Sequence, residues 1–152
     1  MRTTRLVMLF VLATATAAAA HVTVWPRESR PGASEKYVVR VPTEGKVATV
    51  EVELEVPANV TIAMLAAPAG WTHEVKREGD RIVRVVWKME IRPGEFAEFP
   101  FIARNPKEGS EIAWKVRQRF ADGTSADWVG PAGDRRPASV TKLTAPATTT
   151  AR

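Results

Sequence analysis

Apolar and polar residues alternate with a period of two along most of the chain after residue 20. The clearest case is the stretch VATVEVELEVP, where apolar residues from Val50 to Val56 alternate with glutamates. This period places successive side chains on opposite faces of a β-strand, so one face is buried and the other meets water. The pattern therefore predicts amphipathic strands, and no stretch after residue 20 has helical periodicity.

Further strands carry the same signature. Their buried faces are predicted to hold Val50, Val52, Leu54 and Val56; Tyr37, Val39 and Val41; Val83, Val85, Trp87 and Met89; Phe99 and Phe101; and Ile112, Trp114, Val116 and Phe120. Pro100 lacks a backbone N–H, which predicts an edge strand or a bulge. The dipeptide Asp122-Gly123 predicts a two-residue hairpin turn. Seven to nine strands in about 120 residues predict an all-β, immunoglobulin-like two-sheet sandwich.

The first twenty residues differ from the rest. Arg2 and Arg5 precede a short apolar run, and three alanines at 18–20 supply the small residues that signal peptidase recognises. The run is shorter than the roughly 20 residues of a transmembrane helix. We expect residues 1–20 to be a cleaved signal peptide, giving a periplasmic or secreted protein with no membrane anchor. Residues 21–144 are then the domain, and 145–152 a disordered tail.

Composition narrows the chemistry. The chain has 22 basic and 17 acidic residues, and removal of Arg2 and Arg5 lowers the net charge from +5 to +3. The basic residues are scattered, so no nucleic-acid partner is expected. Cysteine is absent, which excludes thiolate nucleophiles and cysteine metal ligands. With no hydrolase motif either, we expect a binding protein and not an enzyme.

One of the two histidines lies directly after the predicted cleavage site. Cleavage after Ala20 would free the α-amino group of His21, and this amine and the ring Nδ1 can close a six-membered chelate around a metal ion. Two nitrogen donors in one plane suit Cu(II), which also leads the divalent ions in affinity for such sites. An oxygen ligand would complete the set. His21 is therefore a candidate Cu(II) ligand.

Four segments resemble one known family. They are AHVTVWPRES at 20–29, GW at 70–71, EFAEFPFIARNP at 95–106, and the spaced motif W…Q.F.DG…DWVG at 114–130. Together they resemble the YcnI family of exported copper-binding proteins. The resemblance implies an immunoglobulin-like fold and a single-histidine brace for Cu(II), formed by His21 with the carboxylate of Glu28 and a nearby tryptophan, Trp128.

The resemblance also implies a role in copper acquisition, buffering or transfer. A copper chaperone or a membrane copper transporter is the candidate partner. Some members of the family carry a C-terminal membrane anchor, and none is expected in this chain.

The strand patterns predict where the candidate ligands point. In HVTVW, His21, Thr23 and Trp25 should share one face, with the two valines inward. If Asp122-Gly123 is the turn, Trp128 lies opposite Arg117 and should point away from the core. A register slip of one residue would reverse that direction.

Alternatives remain open. Asp127 is a second candidate oxygen ligand. His73, if it reached His21, would make the two-histidine brace of a copper-dependent redox enzyme of the lytic polysaccharide monooxygenase type. A metal-free adhesion or scaffold domain is the third alternative.

Overall fold

Residues 21–145 are described by the computed structural model, and the predicted signal peptide and residues 146–152 lie outside them. Within this range the chain forms eleven strands and no helix. They are β1 (Thr23–Trp25), β2 (Glu28–Ser29), β3 (Ser34–Pro42), β4 (Thr49–Glu55), β5 (Thr61–Leu65), β6 (Thr72–Glu78), β7 (Arg81–Ile91), β8 (Phe96–Arg104), β9 (Glu111–Phe120), β10 (Ser125–Trp128) and β11 (Ser139–Leu143).

The strands form two sheets. One has the order β1-β3-β8-β5, and the other has the order β2-β11-β9-β4-β7-β6, with β10 also paired to β9. Strands β10 and β11 pair with successive parts of β9, along 116–119 and 111–114. The all-β, two-sheet prediction is confirmed, with more strands than expected because several have only two to four residues.

Aromatic side chains join the two sheets in the core. Tyr37 on β3 lies 4.7 Å from Trp114 on β9, between ring centroids, and 5.6 Å from Phe101 on β8. A second group places Phe99 at 4.9 Å from Trp87. All five rings are buried, as the period-two pattern predicts. Each of these rings removes a large apolar area from water and so stabilises the packing of one sheet on the other.

Bulges displace two residues that the pattern assigns to the core. On β7, the pairing with β6 skips Val83, so Ile82 is buried and Val83 is half-buried. On β4, a register shift at Val50 buries Thr49 in its place. An extra residue in one strand reverses the alternation on one side of the bulge, and for that reason the prediction is wrong at these two positions.

The prediction of an edge or bulge at Pro100 is wrong as well, because β8 lies inside its sheet between β3 and β5 and its pairing with β3 continues without a register shift through Pro100. The carbonyl oxygen of Pro100 accepts a hydrogen bond from Ala66 N, just beyond the end of β5 at Leu65. In an antiparallel strand the N and O of one residue point to the same side. The missing N–H of Pro100 therefore falls where β5 ends, so an interior strand tolerates it.

Across residues 21–145, the chain contains no helix of sufficient length and apolar character to span a bilayer.

Candidate metal centre

His21 lies two residues before β1, the strand at one edge of the four-stranded sheet. Its side chain is exposed, whereas Val22 and Val24 are buried, as the alternation predicts. Strand β1 is fixed on both sides. It pairs with β3, and Val24 N donates a hydrogen bond of 2.8 Å to Ser139 Oγ on β11 of the other sheet. The strand that carries His21 therefore lies along the seam between the sheets.

The imidazole of His21 contacts the indole of Trp128. Their ring centroids are 5.3 Å apart and the planes meet at 64°, an edge-to-face arrangement. Trp128 is the last residue of β10 and is only 9% exposed. His21 and Trp128 are 107 positions apart in the sequence, and the resemblance assigns both to one metal site. The structure places them in contact.

Trp128 points inward, contrary to the prediction from hairpin register. It pairs with Val116, and Asp127 pairs with Arg117, so the register differs by one residue from the expected one. The cause is a three-residue loop, in which Phe120 N donates to Thr124 O and Gly123 adopts a φ of +84°. An inward side chain on β10 reaches His21 across the gap between the sheets, so the contact depends on this longer loop.

Gln118 fixes the indole from the other side. Trp128 Nε1 donates to Gln118 Oε1 at 3.4 Å. The amide nitrogen of Gln118 donates to Pro42 O at 2.9 Å and to Thr49 Oγ1 at 2.7 Å. Gln118 is 2% exposed, and both ends of its amide are used, so its orientation is determined by its partners.

The sequence prediction did not include Gln118, although a signal was present. It is a polar residue at a position that the period of two assigns to the buried face of β9. A polar side chain on such a face needs partners inside the protein.

A cavity of about 300 Å³ lies beside Trp128. Gln118 and Trp128 form part of its wall, and its charged lining residues within the described chain are Glu44, Arg135 and Arg136. Glu44 follows β3. The register that pairs Thr23 with Arg40, continued by two residues, places His21 opposite Pro42. Glu44 therefore lines the same cavity as Trp128 and lies two residues along the chain from the position opposite His21.

Glu28 is not brought together with His21 and Trp128. It pairs with Lys142, which in turn pairs with Glu111 near the start of β9. Trp128 pairs five residues farther along β9, at Val116. Five residues of a strand span about 17 Å, so the carboxylate implied by the resemblance lies toward the other end of the sandwich.

The two alternative ligands also lie elsewhere. Asp127 is exposed on the outer face of β10, with a carboxylate oxygen 4.0 Å from Arg117 Nε. His73 is on β6, four strand spacings from β10 across the sheet, or roughly 19 Å. In the described part of the chain, no group of three or more His, Cys, Asp or Glu side chains is arranged to hold a metal ion.

Comparison with known proteins adds a family and a fold. Residues 21–150 match the family described as a domain of unknown function, DUF1775. Over 130 residues, the chain is 35% identical to the copper-binding protein CutI of Bacillus subtilis, covering 84% of this chain. The match spans 64% of that relative's length, which is less than two thirds.

Among solved structures, an uncharacterized protein from Nocardia farcinica with a reported immunoglobulin-like fold aligns with a TM-score of 0.72 at 25% identity. The alignment covers 82% of this chain and 99% of that one. A cohesin module of Clostridium perfringens aligns with a TM-score of 0.53 at 13% identity, covering 82% and 96% of the two chains. The immunoglobulin-like prediction is thereby confirmed.

Proposed function

The chain belongs to the DUF1775 family, and from that premise we propose that it is an exported protein that binds Cu(II) through the mature N-terminal residue His21. A relative named as a copper-binding protein supports copper as the ligand. The observation that carries the proposal is the contact between His21 and Trp128. His21 is also the first residue of the region that matches the family. We further propose that the protein acquires, buffers or transfers copper outside the cytoplasm, without catalysing a reaction.

The donors at the seam between the sheets fit Cu(II). Processing after Ala20 gives His21 an amine beside its exposed imidazole, so one residue supplies two nitrogens. Cysteine is absent from the whole chain, and Glu44 offers a carboxylate oxygen in the cavity beside Trp128. Nitrogen and hard oxygen ligands favour Cu(II) over Cu(I). Trp128 supplies an apolar wall on one side of the imidazole, which limits the access of water.

The oxygen ligand is more consistent with Glu44 than with Glu28. Glu44 lines the same cavity as Trp128, whereas Glu28 lies about five residues of strand away along β9. The resemblance assigns Glu28, and the strand registers argue against it within one molecule. We therefore propose Glu44 as the carboxylate that completes the copper site.

The position of His73 argues against the redox-enzyme alternative. A two-histidine brace needs both imidazoles on one metal ion, within about 2 Å of it. His73 lies four strand spacings from β10, across the seven-stranded sheet. A single imidazole with an amine is more consistent with a carrier, for which a copper chaperone or a membrane copper transporter would be the exchange partner.

The decisive test is the free amine of His21. Protein that begins at His21, checked by intact mass, is titrated with Cu(II) beside a version with one glycine before His21. We expect one copper per chain and an affinity about 100-fold lower in the extended version, or ~2.8 kcal/mol, because the chelate is lost. Affinity should also rise with pH through the range near 8 where α-amino groups titrate, since both nitrogens must lose protons.

His73→Ala is the matched control, since it removes the other imidazole and should leave the affinity unchanged. Equal binding by the native and the glycine-extended protein would contradict the proposal. A protein that binds no copper at micromolar concentration would favour the metal-free scaffold.

A further inference from the structure

Two adjacent arginines lie at the cavity beside Trp128. Arg135 and Arg136 belong to the connection between β10 and β11, and both line the 300 Å³ cavity that also includes Trp128 and Gln118. They line a second, neighbouring cavity of about 250 Å³ together with two carboxylates, Asp127 and Asp134. Two arginines therefore line the same cavity as Trp128 and the proposed copper ligand Glu44.

The segment that carries the arginines is held in one conformation. Gly130 N donates to Arg136 O at 3.0 Å, and Ala138 N donates to Gly130 O at 2.9 Å, which closes the base of the segment. Arg135 N donates to the carboxylate of Asp134. That carboxylate packs so closely on Gly130 that a side chain at residue 130 would collide with it. The backbone of both arginines is thus fixed beside the cavity.

Their charges differ in role from those on the outer face of the seven-stranded sheet. There, Arg117 and Arg119 pair with Glu53 and Glu51 at 3.0 and 3.4 Å. Within residues 21–145, no ion pair involves the side chain of Arg135 or Arg136. Among the described residues that line the 300 Å³ cavity, Arg135, Arg136 and Glu44 are charged, and their charges sum to +1. A pair of guanidinium groups at a cavity of this size suits a small anion.

We propose that Arg135 and Arg136 bind the carboxylates of an anionic Cu(II) complex with a small di- or tricarboxylic acid, and so direct copper to His21. This inference rests on the proposed function. Guanidinium groups pair with carboxylates through two parallel hydrogen bonds. A cavity of 300 Å³ is at the lower end of the range for small-molecule sites.

The transfer is a ligand exchange without oxidation or reduction. Copper–carboxylate bonds break, bonds from Cu(II) to the amine and the imidazole nitrogen of His21 form, and the released acid keeps its electron pairs. Protons carried by the two nitrogens pass to solvent. The arginines take no part in the bonding. They hold the departing carboxylates in the cavity beside Trp128, whose ring contacts His21, and raise the local concentration of the complex.

The test compares uptake from a negative and a neutral copper complex. Protein beginning at His21, which contains all eleven strands, is mixed with Cu(II) citrate or with neutral Cu(II) bis-glycinate, and the quenching of tryptophan fluorescence is followed by stopped flow. In the double variant Arg135→Gln/Arg136→Gln we expect uptake from citrate to slow about tenfold at low ionic strength. Uptake from bis-glycinate should change less than twofold, and added salt should reduce the difference.

The matched control is Lys76→Gln/Arg77→Gln, an adjacent basic pair on β6 at the far edge of the same sheet. It removes the same charge and should leave citrate uptake unchanged. An equal loss in this control would overturn the inference, as would unchanged citrate uptake in the Arg135/Arg136 variant. Normal uptake from bis-glycinate shows that a variant is folded. Failure of the unaltered protein to take copper from either complex would instead disprove the proposed function.

Discussion

Trp128 is held in place by contacts on two sides of its indole. Its ring lies against the imidazole of His21 on one side, and its Nε1 donates to the buried amide of Gln118 on the other. Turning the indole away would leave a buried donor and acceptor unpaired, at a cost of about 1–3 kcal/mol. A residue held in this way would supply a fixed wall for the proposed copper site, so little conformational entropy would be lost on binding.

The carboxylate ligand is the prediction that belongs to single residues. Glu44→Gln should weaken Cu(II) binding about tenfold or more, because an amide oxygen replaces an anionic ligand of a cation. Glu28→Gln is the matched control and should leave the affinity unchanged, because Glu28 is placed beside Lys142. Isothermal titration of both variants distinguishes the two carboxylates. The opposite ranking would show that Glu28 reaches copper, either by rearrangement or from another molecule.

At the level of elements, the β9–β10 hairpin determines which way Trp128 faces. Asp122 accepts hydrogen bonds from Thr124 Oγ1 at 2.7 Å and Thr124 N at 3.0 Å, and these bonds lower the pKa of the Asp122 carboxyl. Gly123 supplies the left-handed conformation that closes a three-residue loop. A two-residue turn would shift every pair by one and turn the indole outward.

Substitution of Gly123, which lies in this hairpin, can be compared with substitution of Gly45, which lies outside it. Gly123→Ala should lower the free energy of unfolding by about 1 kcal/mol, because an alanine is strained at a φ of +84°. Gly45 has no such φ and has open space around its Cβ position, so Gly45→Ala should leave stability unchanged or slightly raised. Urea denaturation measures both. Equal effects in the two variants would mean that the loop conformation does not constrain the hairpin.

The strands were predictable because a strand with one buried face has apolar and polar residues in alternation, and this alternation is visible in the sequence. Val22 and Val24, like the buried rings of the core, follow from that rule alone. The bulges at Val50 and Val83 could not be predicted from the sequence. An extra residue in a strand changes the register but leaves the local alternation of apolar and polar residues in the sequence intact. The predicted length of the hairpin loop was wrong for the same reason. A two-residue loop and a three-residue loop around Asp122-Gly123 give the same sequence signal.

The candidate site was predictable only in part. His21 follows from the cleavage pattern and Trp128 from the resemblance, and the structure places them side by side. The separation of Glu28 from His21 could not be read from sequence, because it depends on how β2 pairs with β11. Arg135 and Arg136 gave no periodic signal, because they lie in a connection between strands.

At the level of the molecule, the site lies where the two sheets are joined. The chain leaves the four-stranded sheet after β1 and enters the other sheet at β2. Hydrogen bonds tie this crossing to β11, among them those from Val24 N to Ser139 Oγ, from Thr141 Oγ1 to Pro26 O and from Lys142 N to Arg27 O. Contacts that hold the sheets together therefore also hold the strand that presents His21.

This coupling predicts that one seam residue affects both stability and copper affinity. Ser139→Ala should lower the free energy of unfolding by about 1–2 kcal/mol, since the buried Val24 N–H loses its acceptor. Copper affinity should fall severalfold, because β1 detaches more often and separates His21 from Trp128. The control Ser125→Ala changes an exposed serine on β10 and should shift stability by less than about 0.5 kcal/mol. Urea denaturation and copper titration of the Ser139→Ala and Ser125→Ala proteins test this prediction. A Ser139→Ala protein that is less stable but binds copper with unchanged affinity would show that the proposed site is independent of the seam between the sheets.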